Sequence, residues 1–186
     1  MLEDDIAESV RSWEWDLVAR AMRGVGDQLN SRIYRMMKGE VFSIAIEKAS
    51  RGDARYVDEE GYDFLYRGLR IELKTEKKMF RQSTTADIQL KNTRGSNQVF
   101  KKTFDILLIV QSAPPYLAAI ADWDLVNQFH RLDGDQIKSK IPIDQLTMVT
   151  PVSGVRFSPL NDENPQLRSE FEKTIRDWID SLSEEE

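Results

Sequence analysis

The stretch Gly61–Lys78, GYDFLYRGLRIELKTEKK, decides how this chain is read. It looks like two apolar strands folded on Arg67-Gly68, a two-residue loop in which Gly68 accepts the positive φ such turns demand. In that register Tyr66 faces Leu69, Leu65 faces Arg70, Phe64 faces Ile71, and Asp63 lands opposite Glu72. Directly opposed residues hold their Cβ atoms roughly 4.5–5.5 Å apart. Two carboxylates that close repel each other unless a cation sits between them, and Mg²⁺ takes such oxygen ligands at about 2.0–2.1 Å. Strand periodicity sets Lys74 on the same face as Glu72 and turns Ile71 and Leu73 to the core. Lys74 is then placed to hold or deprotonate a water beside the carboxylates. A three-residue loop would shift the pairing by one and undo this arrangement. The plainer alternative is an exposed hairpin face laced with salt bridges. A second such pair, Glu76 and Lys78, lies in the hydrophilic run TEKK, where the strand is ending, whereas the first is framed by core residues and pairs with Asp63.

Upstream, NSRIYRMMKGEVFSIAIEKAS reads as a helix capped by Asn30 or Ser31, with Gly52 beyond its end. On a helical wheel Ile33, Met36, Met37 and Ile44 fall within about 60° of Glu40. An unpaired carboxylate in that apolar sector would be costly to bury. Glu40 is therefore read as a metal-site carboxylate or a ligand to its water. Glu47 falls in the same sector and is the competing candidate for that role, with pairing to an Arg or Lys at the sector's edge the favoured reading for it.

The rest of the composition narrows the chemistry. With 186 residues the chain fits one domain with a sizeable core. It has no cysteine, hence no disulfide and no thiolate metal site, which fits a reducing, cytosolic setting. Its single histidine, His130, excludes multi-histidine zinc centres and Ser-His-Asp hydrolases. His130 is expected to end a helix. Carboxylates, lysine, hydroxyls and hard cations are what remain. No apolar run approaches the roughly 20 residues of a membrane span, and nothing at the start reads as a signal peptide. The formal charge of −6 means that any nucleic-acid contact needs a local basic patch or a partner.

Along the chain, LEDDIAESVRSWEWDLVARAMRG reads as one amphipathic helix with Gly24 after it. Tyr56–Val57 is a weak strand ahead of the hairpin. Residues 81–102 read as a polar loop with one short element. TFDILLIVQS has the continuous apolar run of a strand buried on both faces, and PPYLAAIADWDLVNQF gives a strand, then a helix begun near Asp122 or Asp124. PQLRSEFEKTIRDWIDSL reads as a closing helix with Leu167, Phe171, Ile175, Trp178 and Leu182 on one stripe. The order predicts an α/β fold, a mixed central β-sheet flanked by helices. It forms one domain over 1–186, with an N-terminal helix (1–29), a core (30–125) and C-terminal strand and helix elements (126–186).

A helix glutamate, an Asp on one strand and Glu-x-Lys on the next resemble the PD-(D/E)xK nuclease superfamily, with Glu40, Asp63 and Glu72-Leu73-Lys74 in those places. Tyr62 stands where that pattern often has Pro. The resemblance implies a restriction-endonuclease-like core and a Mg²⁺-dependent endonuclease that hydrolyses a DNA phosphodiester to 5′-phosphate and 3′-hydroxyl. It implies that Asp63, Glu72 and the Leu73 carbonyl hold the metal, that Glu40 positions water or a second ion, and that Lys74 acts on the attacking water. The exonuclease branch adds Gln and Tyr on a later helix. Gln98 is present, but Lys101 and Lys102 stand where the Tyr would be. More narrowly, the chain is similar to the small, cleavage-only subunit of a heterodimeric type IIS restriction enzyme. That implies double-stranded DNA as substrate, a large DNA-reading subunit as partner and a bacterial cytoplasm. Lys77, Lys78, Arg81, Ser83, Thr84, Lys91, Arg94, Lys101 and Lys102 are the expected phosphate contacts. A homodimeric palindrome cutter is the nearest rival. A non-catalytic protein docking through Trp13, Trp15, Phe171 and Trp178 is the alternative of another class.

Overall fold

The computed structural model describes residues 2–26, 32–76, 85–92, 100–111, 117–133 and 136–150. The expected closing helix, the caps Asn30 and Ser31, and the Gln98 position lie outside them. Three helices open the chain: α1 (Leu2–Arg11), α2 (Trp15–Gly26) and α3 (Arg32–Ala49). The single N-terminal helix expected from the sequence is thus two. Trp13 and Trp15 are both buried, and residues two apart on one helix point in divergent directions. Breaking the helix at Ser12–Glu14 lets both indoles enter the core, where they stack 5.9 Å apart. The Glu14 N–H then donates to the Ala49 carbonyl, tying the break to the end of α3.

Strands β1 (Ala54–Glu59), β2 (Tyr62–Tyr66), β3 (Leu69–Glu76), β5 (Ile106–Gln111), β6 (Ala118–Asp122) and β9 (Thr147–Met148) form one sheet in the order β1-β2-β3-β5-β6-β9. The β3–β5 pair is parallel and the others are antiparallel, so the central sheet is mixed, as expected. A second, antiparallel sheet of β4 (Thr85–Asn92), β8 (Gln136–Pro142) and β7 (His130–Asp133) was not anticipated. The region expected to be mostly loop contributes an eight-residue strand to it. Alternation in β8 explains it: Ile137, Ser139 and Ile141 are buried, whereas Lys138 and Lys140 are not.

The two sheets and the helices enclose two cores. On the helix side of the large sheet, Ile106, Leu108 and Val110 of β5 pack with α1–α3, Phe64, Tyr66, Ile71 and Leu73. On the other side, Leu107 and Ile109 pack with Ala86, Ile88, Ile141 and α4 (Trp123–Gln128). The run ILLIV is continuous because β5 is covered on both faces. Asp122 caps α4 by accepting from the Leu125 N–H at 2.8 Å. His130 does not end that helix. It opens β7, with its ring stacked 5.0 Å from Phe100. No described helix is long and apolar enough to cross a membrane.

Candidate active site

The β2–β3 connection forms as the sequence implies. Arg67 and Gly68 both have positive φ, 48° and 81°, the signature of a type I′ turn. The pairs Tyr66–Leu69, Leu65–Arg70 and Phe64–Ile71 follow from it. The ladder stops there, one pair short of Asp63 and Glu72. The Leu73 N–H donates to Asp63 Oδ2 at 2.6 Å, so a carboxylate takes a proton that continued pairing would give to a backbone carbonyl. The two strands part at the position of the acidic pair.

Leu69, Ile71 and Leu73 contact the helix-side core, which turns Arg70, Glu72 and Lys74 to the opposite face. There the Lys74 ammonium is paired with Glu72 Oε1. Their side chains are only 26% and 12% exposed, so the pair is largely withdrawn from water. On the next strand their neighbours are Leu107 and Ile109, both buried. Gly61 fixes the start of β2. Its φ is +92°, and a Cβ there would lie 2.5 Å from Thr103 Cβ. Only glycine lets the strand leading to Asp63 approach the segment before β5 this closely.

Glu40 and Glu47 separate cleanly. The described half of α3 buries Val41, Phe42, Ala45, Ile46 and Ala49, a face centred opposite Glu40. Glu40 therefore sits on the side of α3 away from that face and is half-buried, while the side chains of Ile33, Met36 and Met37 lie outside the described ones. Its Oε2 is nevertheless inaccessible and lacks a hydrogen-bond partner, a condition shared among the described residues only by Trp13 Nε1. Glu47 Oε1 instead accepts the Tyr56 N–H at 3.1 Å. Its partner is thus the backbone of edge strand β1, in place of the expected Arg or Lys.

One network was not anticipated. Asp105 Oδ2 accepts the backbone N–H of Arg70 at 3.0 Å and its Nε–H at 3.1 Å, and Oδ1 accepts from the same guanidinium at 3.2 Å. Lys102 Nζ adds an ion pair to Oδ1 at 3.1 Å. The Arg70 hydrogen bonds hold the Asp105 carboxyl well below the usual carboxylate range, and Lys102 adds to the effect. The same contact raises the Arg70 pKa. Arg70 was legible by counting back two from Glu72. Asp105 was legible as the one charge heading an apolar strand.

Among the expected phosphate contacts, Lys101 and Lys102 are exposed on the segment before β5. Lys91 lies on β4, whereas Lys77, Lys78, Arg81, Ser83, Thr84 and Arg94 fall outside the described residues. Among the described residues no group of three or more Asp, Glu or His is arranged to hold a metal ion. Glu40 is thus not joined to Asp63 and Glu72 in a three-carboxylate set. The oxygen-only pair still suits Mg²⁺, which binds through one or two carboxylates plus substrate phosphates more often than in an all-protein cage. Compared with known proteins, the chain matches no family model and no curated protein.

Proposed function

We propose that this protein is a Mg²⁺-dependent DNA endonuclease that hydrolyses a phosphodiester to 5′-phosphate and 3′-hydroxyl. One observation carries the reading: Asp63 meets the Glu72-Leu73-Lys74 strand where β2 and β3 part, and a lysine is paired in a half-buried setting with the second carboxylate. A structural hairpin has no need of an acid on each strand at that point, since like charges there oppose pairing.

In this reading Asp63 and Glu72 would hold Mg²⁺, which would supply charge stabilisation at the scissile phosphate. Lys74 Nζ would orient the attacking water as an ammonium, or take its proton if uncharged. The Leu73 N–H fixes the Asp63 carboxylate through its hydrogen bond. Glu40, half-buried on α3, is assigned a supporting role in holding water at the site. The finer reading is a restriction-endonuclease-like core that acts as the strand-cleaving small subunit of a heterodimeric type IIS enzyme. Its support is the net charge of −6, which is poorly suited to independent DNA recognition.

The test is cleavage of supercoiled plasmid in Mg²⁺ at low salt, by the unaltered chain and by Lys74→Ala, each alone and with the protein encoded next to it. Lys74-dependent cutting that requires the neighbour supports the two-subunit enzyme. Cutting by the chain alone at a palindrome supports a homodimer. No Lys74-dependent cutting in any pairing leaves a non-catalytic partner-binding protein.

A further inference from the structure

The site face of β3 carries three charges in a row: Arg70, Glu72 and Lys74. Alternate residues on a strand lie roughly 6.6–6.8 Å apart. The row therefore reads cation, carboxylate, cation, with Asp63 added beside the middle member by its bond to the Leu73 N–H. Carboxylates alone would repel the phosphates on either side of a bound scissile group, and the repulsion is strong where water is partly excluded. Lys74 offsets it at one end, although its ammonium is committed to Glu72.

At the other end the balance differs. Arg70 and Lys102 share a single carboxylate, Asp105, so two positive charges meet one negative charge. The Arg70 side chain is 36% exposed and the Lys102 side chain 50% exposed, so the surplus charge is open to solvent. Asp105 uses two of the five N–H donors of the guanidinium, a fork that also fits phosphate bidentately. The mount is rigid. The Asp105 N–H donates to the Arg70 carbonyl at 2.8 Å, and the Asp105 carbonyl accepts from Trp123 N–H at 3.0 Å. The depressed Asp105 pKa keeps this charge count fixed across the working range.

We propose that Arg70 and Lys102, fixed by Asp105, form an anion subsite that grips a backbone phosphate of duplex DNA next to the one cleaved at Asp63, Glu72 and Lys74. The assignment rests on the nuclease reading and names residues on the flank of its centre. The subsite orients the duplex along β3 and reads no sequence. A purely structural role for the network, locking the start of β3 to β5, would leave DNA binding untouched when Lys102 is removed. Lys102 makes no contact with the β3 backbone in that lock.

The experiment is equilibrium binding of a short DNA duplex to the full chain in Mg²⁺, on a Lys74→Ala background so that the duplex stays intact. Affinity is followed between about 50 and 200 mM salt. Adding Lys102→Ala is expected to reduce the logarithmic salt slope by about 1, which over that range shrinks the salt-induced loss of affinity about three- to fourfold. Arg70→Lys keeps the charge and loses the fork, so it should weaken binding at every salt with the slope retained. Arg51→Ala, which removes an exposed cation paired to Glu14, is the control and should change neither. Thermal unfolding of each variant reports folding separately. A Lys102→Ala slope equal to the parent's overturns the subsite, and if Lys74-dependent plasmid cleavage persists, the nuclease reading survives that failure. Tighter binding of an RNA duplex than of DNA overturns the subsite, as does no binding of DNA either alone or with the protein encoded next to it, and absent cleavage in both pairings then overturns the nuclease reading with it.

Discussion

Strands β3 and β5 are parallel neighbours in one sheet, yet they carry opposite kinds of side chain. All six residues of β5 are buried. Among the described side chains of β3 only Ile71 and Leu73 are, and the positions aligned with Leu107 and Ile109 are Glu72 and Lys74. The difference comes from what covers each strand. The small sheet and α4 pack on the outer face of β5 and β6 through Leu107, Ile109, Ala119 and Ala121. None of the outward residues of β3 belongs to that cluster. The charged row thus stands beside that apolar cluster, with Glu72 and Lys74 aligned to its Leu107 and Ile109. It has low-dielectric walls on one side and half-buried ion pairs, the setting in which charge interactions gain most.

Lys74→Ala should break the comparison most severely. If the outer face of β3 is catalytic, cleavage falls by roughly 10² to 10⁴, the range for losing a positioned general base. The thermal midpoint should fall somewhat, because Glu72 loses its cation in a largely buried setting, although nothing in either core is removed. Asp63→Asn and Glu72→Gln should likewise abolish Mg²⁺-dependent cutting while stability holds or rises as like charges are relieved. Large destabilisation without an activity loss beyond the unfolded fraction would make the face structural.

The same alteration one strand over should do the reverse. Leu107→Ala removes a buried side chain that touches the second core, and it should cost roughly 2–5 kcal/mol in a denaturant titration. Cleavage per folded molecule should remain. A loss below about 1 kcal/mol would mean that the small sheet covers β5 only loosely.

How much of this was legible follows from where the information is local. The hairpin was legible residue by residue, because a glycine turn and alternation fix register over a few positions. The β5 run announced its double burial by lacking polar interruptions. The second sheet was not legible: β4 lies in a polar, basic segment, and its pairing with β8 spans some fifty residues that no periodicity links. For Glu40 the wheel alone could not say which side of α3 meets the sheet. The apolar residues of α3 surround the helix, so the sector that faces the sheet is chosen by tertiary packing and not by the pattern. The break between α1 and α2 likewise needs the core to demand both Trp13 and Trp15.

Asp105 tests whether the start of the charged row is held from outside β3. Asp105→Asn removes the charge that Arg70 and Lys102 share, and should destabilise the protein at neutral pH by on the order of 1.5–3 kcal/mol, the scale of hydrogen bonds to charged groups. The Asp105 carboxyl is depressed in the folded state, chiefly by its Arg70 hydrogen bonds. Its stabilisation is therefore complete above the unfolded carboxylate value near 3.9 and is lost as pH falls towards the folded value. Urea midpoints of the parent and Asp105→Asn should differ most at neutral pH and converge below about pH 4. A gap that is constant with pH would mean that the carboxylate charge is not what holds the strands.

The smallest effect separates the two faces most directly. Tyr66 lies on β2, three residues beyond Asp63, but its ring enters the helix-side core against Trp13, with centroids 5.4 Å apart. Its hydroxyl is hydrogen-bonded to Ser9 Oγ on α1. Tyr66→Phe keeps the ring and deletes that bond, so stability should fall by about 1 kcal/mol. Lys74-dependent cleavage should be unchanged, because the packing of α1 against the sheet does not reach the face on which Arg70, Glu72 and Lys74 stand. If cleavage falls by tenfold or more while the fold holds, then the helix layer sets the geometry at which β2 and β3 part. The sheet would then transmit strain from one core to the other, and the parting of the strands at Asp63 would be a property of both layers, not of the hairpin alone.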